Sequence, residues 1–214
     1  VAEKNKSDGS PLINDSNLSM GFYGSIDLNE DEIKVNATAN LLSSDLRALH
    51  FVAAPTTLTA DFDLNCAGHN IDDFIGTAKL YNINLNRHKQ RMDLDSININ
   101  AYTNEGGKNL DIESNLLSAK INGQFLLSEI PNSMQFYLSK YLPNYIKSPE
   151  RIAADQNLNF DIETREVNDL LLAFTKVLSG FDNAKLSGNL NTSTQKLNID
   201  AKVPFGKIAD IKLN

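Results

Sequence analysis

The sequence lacks tryptophan, contains a single cysteine and has no surplus of basic residues. Because Cys66 has no second cysteine to pair with, an intrachain disulfide and a zinc site built from cysteines are excluded. The 214 residues include 20 lysines and arginines against 27 aspartates and glutamates, so the net charge is −7. This charge, without any cluster of basic residues, argues against a nucleic-acid partner.

Long apolar runs are also missing. The longest, Leu170–Phe174, has five residues, whereas a helix needs about 20 to cross a bilayer. The first 17 residues are polar and contain Gly9 and Pro11, which predicts a flexible leader or linker. No signal peptide is recognisable and the C-terminal strand pattern ends without a turn signal, so we interpret the sequence as an internal fragment of a longer protein.

What the sequence has instead is an alternation of apolar and polar residues with a period of two, together with 27 asparagines. Between Leu94 and Thr103, for example, Ile97, Ile99 and Ala101 fall on one face of a strand and polar residues on the other. The same alternation predicts strands over residues 19–28, 32–41, 57–66, 77–85, 110–114, 117–125, 158–162, 184–191 and 197–205. One-sided alternation is typical of antiparallel strands with one buried face.

Two stretches have helical spacing instead. The first, 128–142, carries a stripe of Ile130, Met134, Tyr137, Leu138, Tyr141 and Leu142. The second, 164–178, carries a stripe of Val167, Leu170, Leu171, Phe174, Val177 and Leu178, and we expect it to pack on the strands 184–191 and 197–205. The predicted fold is therefore mainly β, a β-rich α+β fold: an extended, curved antiparallel sheet of stacked strands with two amphipathic helices packed on it.

A weak internal repeat suggests how the chain is divided. The triplet Ala-Lys-Leu occurs at 78–80 and again at 184–186, each time after a helical stretch that closes with glycine. We predict a leader at 1–17, a first β-repeat unit at 18–146 and a second β-repeat unit at 147–214.

Few residues could form a reactive centre. His69 lies near Asp72 and Asp73, which is compatible with a small metal site or with a polar turn whose carboxylates cap backbone amides. Cys66 would need a histidine and an orienting group beside it to act as a nucleophile, and a half-buried inert thiol is the simpler interpretation. The sequence therefore predicts no catalytic residue, no metal site and no cofactor.

Paired carboxylates occur on two predicted strands. Asp61 and Asp63 share one strand face, as do Asp93 and Asp95. Such pairs could perform acid–base chemistry, but residues two apart on a strand also form an ordinary solvated face. We interpret both pairs as solvated.

The feature that remains is a long series of apolar strand faces. Either the two helices cover these faces, or much of the surface stays open as a groove for an apolar ligand. The groove hypothesis assigns the lining to Ile97, Ile99, Leu110, Ile112, Ile121, Phe125, Leu197, Ile199 and Val203.

Three segments carry a resemblance to a known family: LTADFDLNCAGHN at 58–70, IDDFIGTAKLYNINL at 71–85, and the block from Met92 to Pro143. They resemble the AsmA-like and TamB-like periplasmic proteins of Gram-negative bacteria, in the form found in Bacteroidetes. The rest of the chain agrees only as a repeated strand pattern. The resemblance implies a trough of stacked strands in the periplasm, tethered to the inner membrane, and it brings no catalytic residue.

Together these features predict a non-enzymatic periplasmic domain of a cell-envelope biogenesis protein. Its apolar groove would serve lipid transport between the inner and outer membranes, assembly of outer-membrane proteins, or both. The expected partners are a lipid or another apolar ligand and an outer-membrane assembly protein. Two alternatives stay open: a surface or secreted β-rich adhesin or binding module with a closed core, and a hydrolase whose site is dispersed in the sequence.

Overall fold

The computed structural model describes residues 6–9, 12–28, 32–49, 54–87, 90–141, 143–151, 155–174, 178–208 and 211–213. Its strands are β1 Lys6–Gly9, β2 Leu12–Asn14, β3 Leu18–Leu28, β4 Ile33–Ser44, β5 Thr56–Ala67, β6 Ile75–Arg87, β7 Gln90–Asn104, β8 Gly107–Ser114, β9 Leu117–Gln124, β10 Asn157–Thr164, β11 Leu178–Gly180, β12 Lys185–Asn191, β13 Lys196–Lys202, β14 Gly206–Ile208 and β15 Ile211–Leu213. The described helices are α1 Ile130–Tyr141, preceded by a 3-10 turn at Leu127–Glu129, and α2 Asn168–Phe174. Neither is long and apolar enough to cross a membrane.

The mainly β fold is confirmed. One large, open antiparallel sheet has the strand order β1-β3-β4-β5-β6-β7-β8-β9-β10-β12-β13, and β2 pairs with β3 beside β1. Strands that follow one another in the chain are therefore neighbours in the sheet almost throughout, as short turn-forming connections predict. A second, three-stranded sheet has the order β11-β14-β15.

The chain forms two compact units, which do not coincide with the predicted division at 146 and 147. The first unit contains residues 1–69, 74–100 and 113–115, and the second contains 70–73, 101–112 and 116–214. The buried apolar residues of the first are Ala37, Ala39, Leu41, Ala60, Ile83, Leu85 and Leu94. Those of the second are Ala101, Leu110, Ala119, Phe125, Tyr137, Leu158, Phe160, Val167, Ala184 and Leu190.

Two strands lie within the predicted flexible leader. Lys6–Gly9 and Leu12–Asn14 are strands, and both pair with β3. The polar composition of this segment suits it to an exposed sheet edge as well as to a linker, because an edge strand has few neighbours to bury against. Residues 1–5 and 10–11 of the predicted leader lie outside the described residues.

The first predicted helix is confirmed within two residues at each end, whereas the second is much shorter than predicted. Thr164 ends β10, and Leu178 begins β11. The hydroxyl of Thr164 donates to the carbonyl oxygen of Phe181 and accepts from the amide of Ala184 at 2.9 Å, which keeps Thr164 in the strand. Helix α2 begins only at Asn168, whose backbone amide donates to Asp182 Oδ1 at 2.9 Å.

The predicted stripe of the second helix is only partly placed. Val167 is buried, whereas Leu170 and Leu171 are half-buried. The side chain of Phe174 and residues 175–177, including Val177, lie outside the described part of the chain. In the first helix, Tyr137 is buried as predicted but Tyr141 is 75% exposed, and Ser133 and Ser139 occupy the buried side instead.

Candidate functional site

One face of the first unit's sheet is apolar across four neighbouring strands. Residues that pair directly on adjacent strands project from the same face. Pairing of β3, β4, β5 and β6 produces three rows: Phe22, Ala39, Phe62 and Leu80; Gly24, Ala37, Leu64 and Ala78; Ile26, Val35, Cys66 and Gly76. We call these positions the first apolar face.

The first apolar face is not a closed core. Ala37 and Ala39 at its centre are buried, but the larger side chains of Phe22, Phe62 and Leu64 are only half-buried. Both described helices belong to the second unit, so no described helix of the first unit covers this face. The first unit therefore keeps several large apolar side chains partly in contact with water.

The opposite face of the same strands is polar. Its central row pairs the exposed residues Tyr23, Thr38, Asp63 and Lys79. A neighbouring row centres on Asp61, whose Oδ1 accepts from the amide of Asn40 and whose Oδ2 accepts from the amide of Asn82, both at 2.6 Å. These two bonds hold the pKa of the Asp61 carboxyl below its usual value, with the larger effect from Asn82.

A β-bulge positions the amide of Asn82. Between the pairs Thr59 with Asn84 and Asp61 with Tyr81, β5 contributes one residue and β6 contributes two. Asn82 takes φ +52° there, a left-handed conformation that asparagine tolerates better than most residues. The paired carboxylates Asp61 and Asp63 thus lie in a hydrogen-bonded, solvated face, with Asp63 accepting from the Tyr81 hydroxyl at 3.4 Å.

A pocket of about 400 Å³ lies where the first apolar face reaches the end of its strands. Val35, Cys66 and Gly76 line it from that face, and Lys34 and Asp27 are among its polar residues. Gly76 adopts φ +129°, and a Cβ there would lie 2.2 Å from the carbonyl oxygen of Asn65, so a larger residue would displace β5.

Cys66 itself is half-buried, and burial raises the pKa of its thiol. A thiol of this kind is predominantly protonated at neutral pH and is a poor nucleophile. Among the described residues, no group of three or more His, Cys, Asp or Glu side chains is arranged to hold a metal ion.

The polar turn after β5 has a structural role. Asp73 Oδ1 accepts from the backbone amide of Asn70 at 2.8 Å, as the capping interpretation predicts. Asp72 reaches further: its two oxygens accept from the amide and the hydroxyl of Ser128 at 2.8 and 2.7 Å. These bonds lower the pKa of Asp72, and the largest effect comes from the bond with the backbone amide of Ser128. The same bonds cap the helical segment at the start of α1.

The other carboxylate pair is also exposed. Arg91 Nε lies 3.1 Å from both oxygens of Asp93, and Asp93 and Asp95 are both exposed on β7. An exposed ion pair between residues two apart on one strand is an ordinary surface contact.

A second apolar face crosses β9, β10, β12 and β13 in the second unit. Its rows are Ala119, Ile162, Leu186 and Ala201; Ile121, Phe160, Gly188 and Ile199; Gly123, Leu158, Leu190 and Leu197. Gly188 makes room for a neighbour, since a Cβ there would lie 2.7 Å from Cζ of Phe160. We call these positions the second apolar face.

The second apolar face becomes more exposed toward β13. Leu158 and Leu190 are 3% and 0% exposed, whereas Leu197 in the same row is half-buried. In the next row Phe160 is 7% exposed and Ile199 is 43% exposed. This face is therefore closed at its centre and open at the last strand.

The structure distributes the predicted groove residues over both units. Ile97 and Ile99 belong to the first, and the other seven belong to the second. It brings Ile121, Leu197 and Ile199 together on the second apolar face. It buries Leu110 and Phe125 at 3% and 7% exposure, so neither offers an open surface.

The remaining predicted positions are half-buried. Ile112 lies in β8, and Val203 follows β13, where its Cγ1 would be 2.9 Å from a Cβ at Gly206. Sequence reasoning missed Phe22, Phe62, Leu64 and Leu80 of the first apolar face. The alternation of these residues was visible in the sequence. The sequence did not show that their face would have no described helix of the first unit over it.

No family model matches this chain, and neither a curated protein nor a solved structure matches it.

Proposed function

We propose that this chain is a non-enzymatic domain whose apolar strand faces hold the acyl chains of a lipid. The observation that carries the proposal is the first apolar face, on which Phe22, Phe62 and Leu64 stay half-exposed with no described helix of the first unit over them. A soluble domain that exposes contiguous apolar surface generally uses it to bind a partner.

The dimensions of the face suit an acyl chain. Its three rows lie two residues apart along each strand, so at about 3.3 Å per residue they span about 13 Å. One leaflet of a bilayer has a hydrocarbon thickness of about 15 Å. An acyl chain could therefore lie on the face over most of its length while its head group stays in water.

The expected affinity is modest. Complete burial contributes about 0.8 kcal/mol per CH₂ group, and an open face covers roughly half of each group. Ten such groups contribute about 4 kcal/mol, which corresponds to a dissociation constant of about 1 mM. Weak binding of this kind suits a surface along which a lipid moves and does not suit a surface that stores a lipid.

The cellular setting follows from the resemblance to AsmA-like and TamB-like proteins. On this basis the chain is a periplasmic part of an envelope-biogenesis protein that is tethered to the inner membrane. Its role would be lipid transport between the two membranes, assembly of outer-membrane proteins, or both. An outer-membrane assembly protein is the expected protein partner.

Photo-crosslinking in the intact parent protein tests the proposal. A photoreactive amino acid replaces Phe62 on the first apolar face in one variant and Tyr23 on the opposite face in the control. Tyr23 is 71% exposed, so it meets solvent more than Phe62 does. Lipid adducts at position 62 and not at position 23 support the proposal, because non-specific contact would favour the more exposed position.

A charged substitution provides the matched functional test. L64D places a carboxylate on the first apolar face, whereas T38D places one on the polar face of the neighbouring strand. We expect L64D, and not T38D, to reduce crosslinking at position 62. Equal crosslinking in wild type and L64D would contradict the proposal, provided that circular dichroism shows both variants to be folded.

The buried centre of the second apolar face favours a second candidate, a binding module with a closed core. Leu158 and Leu190 have the exposure of ordinary core residues. In such a module the loops would bind the ligand. Adducts confined to loop positions would favour this candidate.

A further inference from the structure

The last strand of the large sheet presents an open edge. β13 is the end of the strand order, and it pairs with β12 over all seven residues without a register shift. Six of its seven residues are exposed. Among the described residues, no strand pairs with the other side of β13.

This edge lacks several of the usual protections against strand addition. Natural sheets shorten an edge strand, interrupt it with proline or a bulge, turn a charge inward, or place charges, especially lysine, along it. β13 has no proline and no bulge, and Leu197, Ile199 and Ala201 on its apolar side carry no charge. Its charged residues, Lys196, Asp200 and Lys202, lie on the polar side and are of both signs, so a second strand can match them. The opposite edge strand, β1, has only four residues and ends in glycine.

We propose that β13 pairs with β13 of a second copy of this chain, antiparallel and centred on Asn198. In this register Lys196 faces Asp200 of the second copy, and the two-fold symmetry forms this pair twice. Leu197 faces Ile199 on the apolar side. Opposite charges and apolar side chains are thus directly opposite each other, which is the arrangement that stabilises a strand pair.

Asparagines on the polar face support the same centre. Asn159 donates to Asn122 Oδ1 at 3.1 Å, and Asn198 donates to Asn189 Oδ1 at 3.0 Å, both across neighbouring strands. Pairing of Asn198 with Asn198 of the second copy extends this series of amide contacts by one step. Stacked asparagines across strands form ladders of this kind.

Neighbouring symmetric registers fit less well. Centring the pair on Leu197 places Lys196 opposite Asn198 and Asp200 opposite Thr194, so no opposite charges meet. Centring it on Ile199 places Lys196 opposite Lys202, and centring it on Asp200 places two aspartates opposite each other. Like charges directly opposite destabilise a strand pair. Lys196 and Asp200 make no ion pair with another described residue, so the proposed register satisfies two charges without breaking an existing contact.

The pairing would join the second apolar faces of the two copies, with Leu197 of one beside Ile199 of the other. Pairing through the edge of β13 requires no bound lipid, so a failure of lipid binding would leave the pairing unaffected.

Sedimentation equilibrium of the purified chain, without lipid, tests the pairing through charge reversal. K196E and D200K each convert two attractive contacts into repulsive ones, so we expect each to weaken the dimer about tenfold or more. The double variant K196E/D200K restores the opposite charges and should return the dissociation constant to the wild-type range. A wild-type chain that stays monomeric at all concentrations, or a K196E dimer as tight as wild type, overturns the proposal.

Cysteine crosslinking then tests the register, because Cys66 is the one native cysteine and C66S removes it. On that background N198C should form a disulfide-linked dimer on oxidation, since residues directly opposite across strands come within disulfide distance. L197C faces Ile199 of the second copy and should not link to itself. Linkage through I199C and not through N198C would refute the proposed register.

Discussion

Truncation of Leu190 tests the observation that the second apolar face is closed at its centre and open at β13. Leu190 is 0% exposed and lies in one row between Leu158 on β10 and Leu197 on β13. L190A removes three carbon atoms from this position, whereas L197A removes the same atoms from the half-buried end of the row. The two variants are therefore chemically identical changes at different depths.

The expected loss of unfolding free energy for each variant follows from how deeply the removed atoms are buried. Three fully buried carbon atoms contribute about 2.4 kcal/mol of transfer free energy, and the cavity left behind raises the total to about 3–4 kcal/mol. Leu197 retains contact with water, so L197A should cost only about 1 kcal/mol. The difference between the two losses, about 2–3 kcal/mol, measures how much more deeply Leu190 is buried than Leu197.

Urea unfolding followed by far-UV circular dichroism provides the free energy of unfolding for both variants. The measurement is made at low protein concentration, because self-association through β13 would stabilise the folded state and mask part of the effect of L197A. Equal losses for L190A and L197A would refute the reasoning, since they would mean that the row is buried to the same depth at both ends.

Four further substitutions, at three positions, test local features. D72N removes the charge that caps the segment before α1 and should cost about 1 kcal/mol in urea unfolding. Hydrogen bonds lower the pKa of Asp72 in the folded state below its usual value of 3.8. Its stabilising contribution is therefore complete above about pH 4 and is lost as the pH falls through the lowered pKa. The difference in free energy of unfolding between wild type and D72N should shrink on acidification, and a constant difference would contradict this. N82A should destabilise the first unit more than N82G, because φ +52° costs alanine about 1 kcal/mol and glycine nothing, and both variants lose the same bond to Asp61. G188A should destabilise the second unit by more than about 1 kcal/mol, since its Cβ would lie 2.2 Å from the carbonyl oxygen of Asn198, and a wild-type unfolding midpoint would contradict the close packing.

The mainly β fold was predictable because each strand shows its two faces locally. Alternation of period two assigns Ile97 and Ile99 to one face without any knowledge of the neighbouring strands, and the structure leaves Asn98 and Asn100 exposed as expected. The helix 128–142 was equally readable, since Pro131 and Pro143 mark its limits in the sequence.

The extent of the second helix depends on contacts that sequence periodicity does not encode. Thr164 would fit a helix by spacing, but its hydroxyl bonds to residues about 20 positions further along the chain. These bonds make it the end of β10. Similarly, the left-handed conformation of Asn82 follows from a bulge between two strands, and nothing in the local sequence indicates which asparagine is bulged.

The candidate site was predicted only in part for the same reason. The period-two alternation places Ile121 and Ile199 on the apolar faces of their strands. Only the pairing register of four strands brings the two residues into one row. Burial depends on what lies over a face, so Leu110 was assigned to an open groove although it is 3% exposed. Phe22 and Phe62, by contrast, were left out although they are half-exposed.

Lipid-dependent fluorescence quenching tests the central claim most directly. The chain has no tryptophan, so F62W on the first apolar face and Y23W on the opposite face each introduce a single reporter. Titration with a fatty acid brominated in its acyl chain quenches a tryptophan only when the bromine atoms come into contact with it. The account predicts saturable quenching in F62W and none beyond the collisional background in Y23W. Equal quenching of the two reporters, with both variants folded, would contradict the claim that the first apolar face holds an acyl chain.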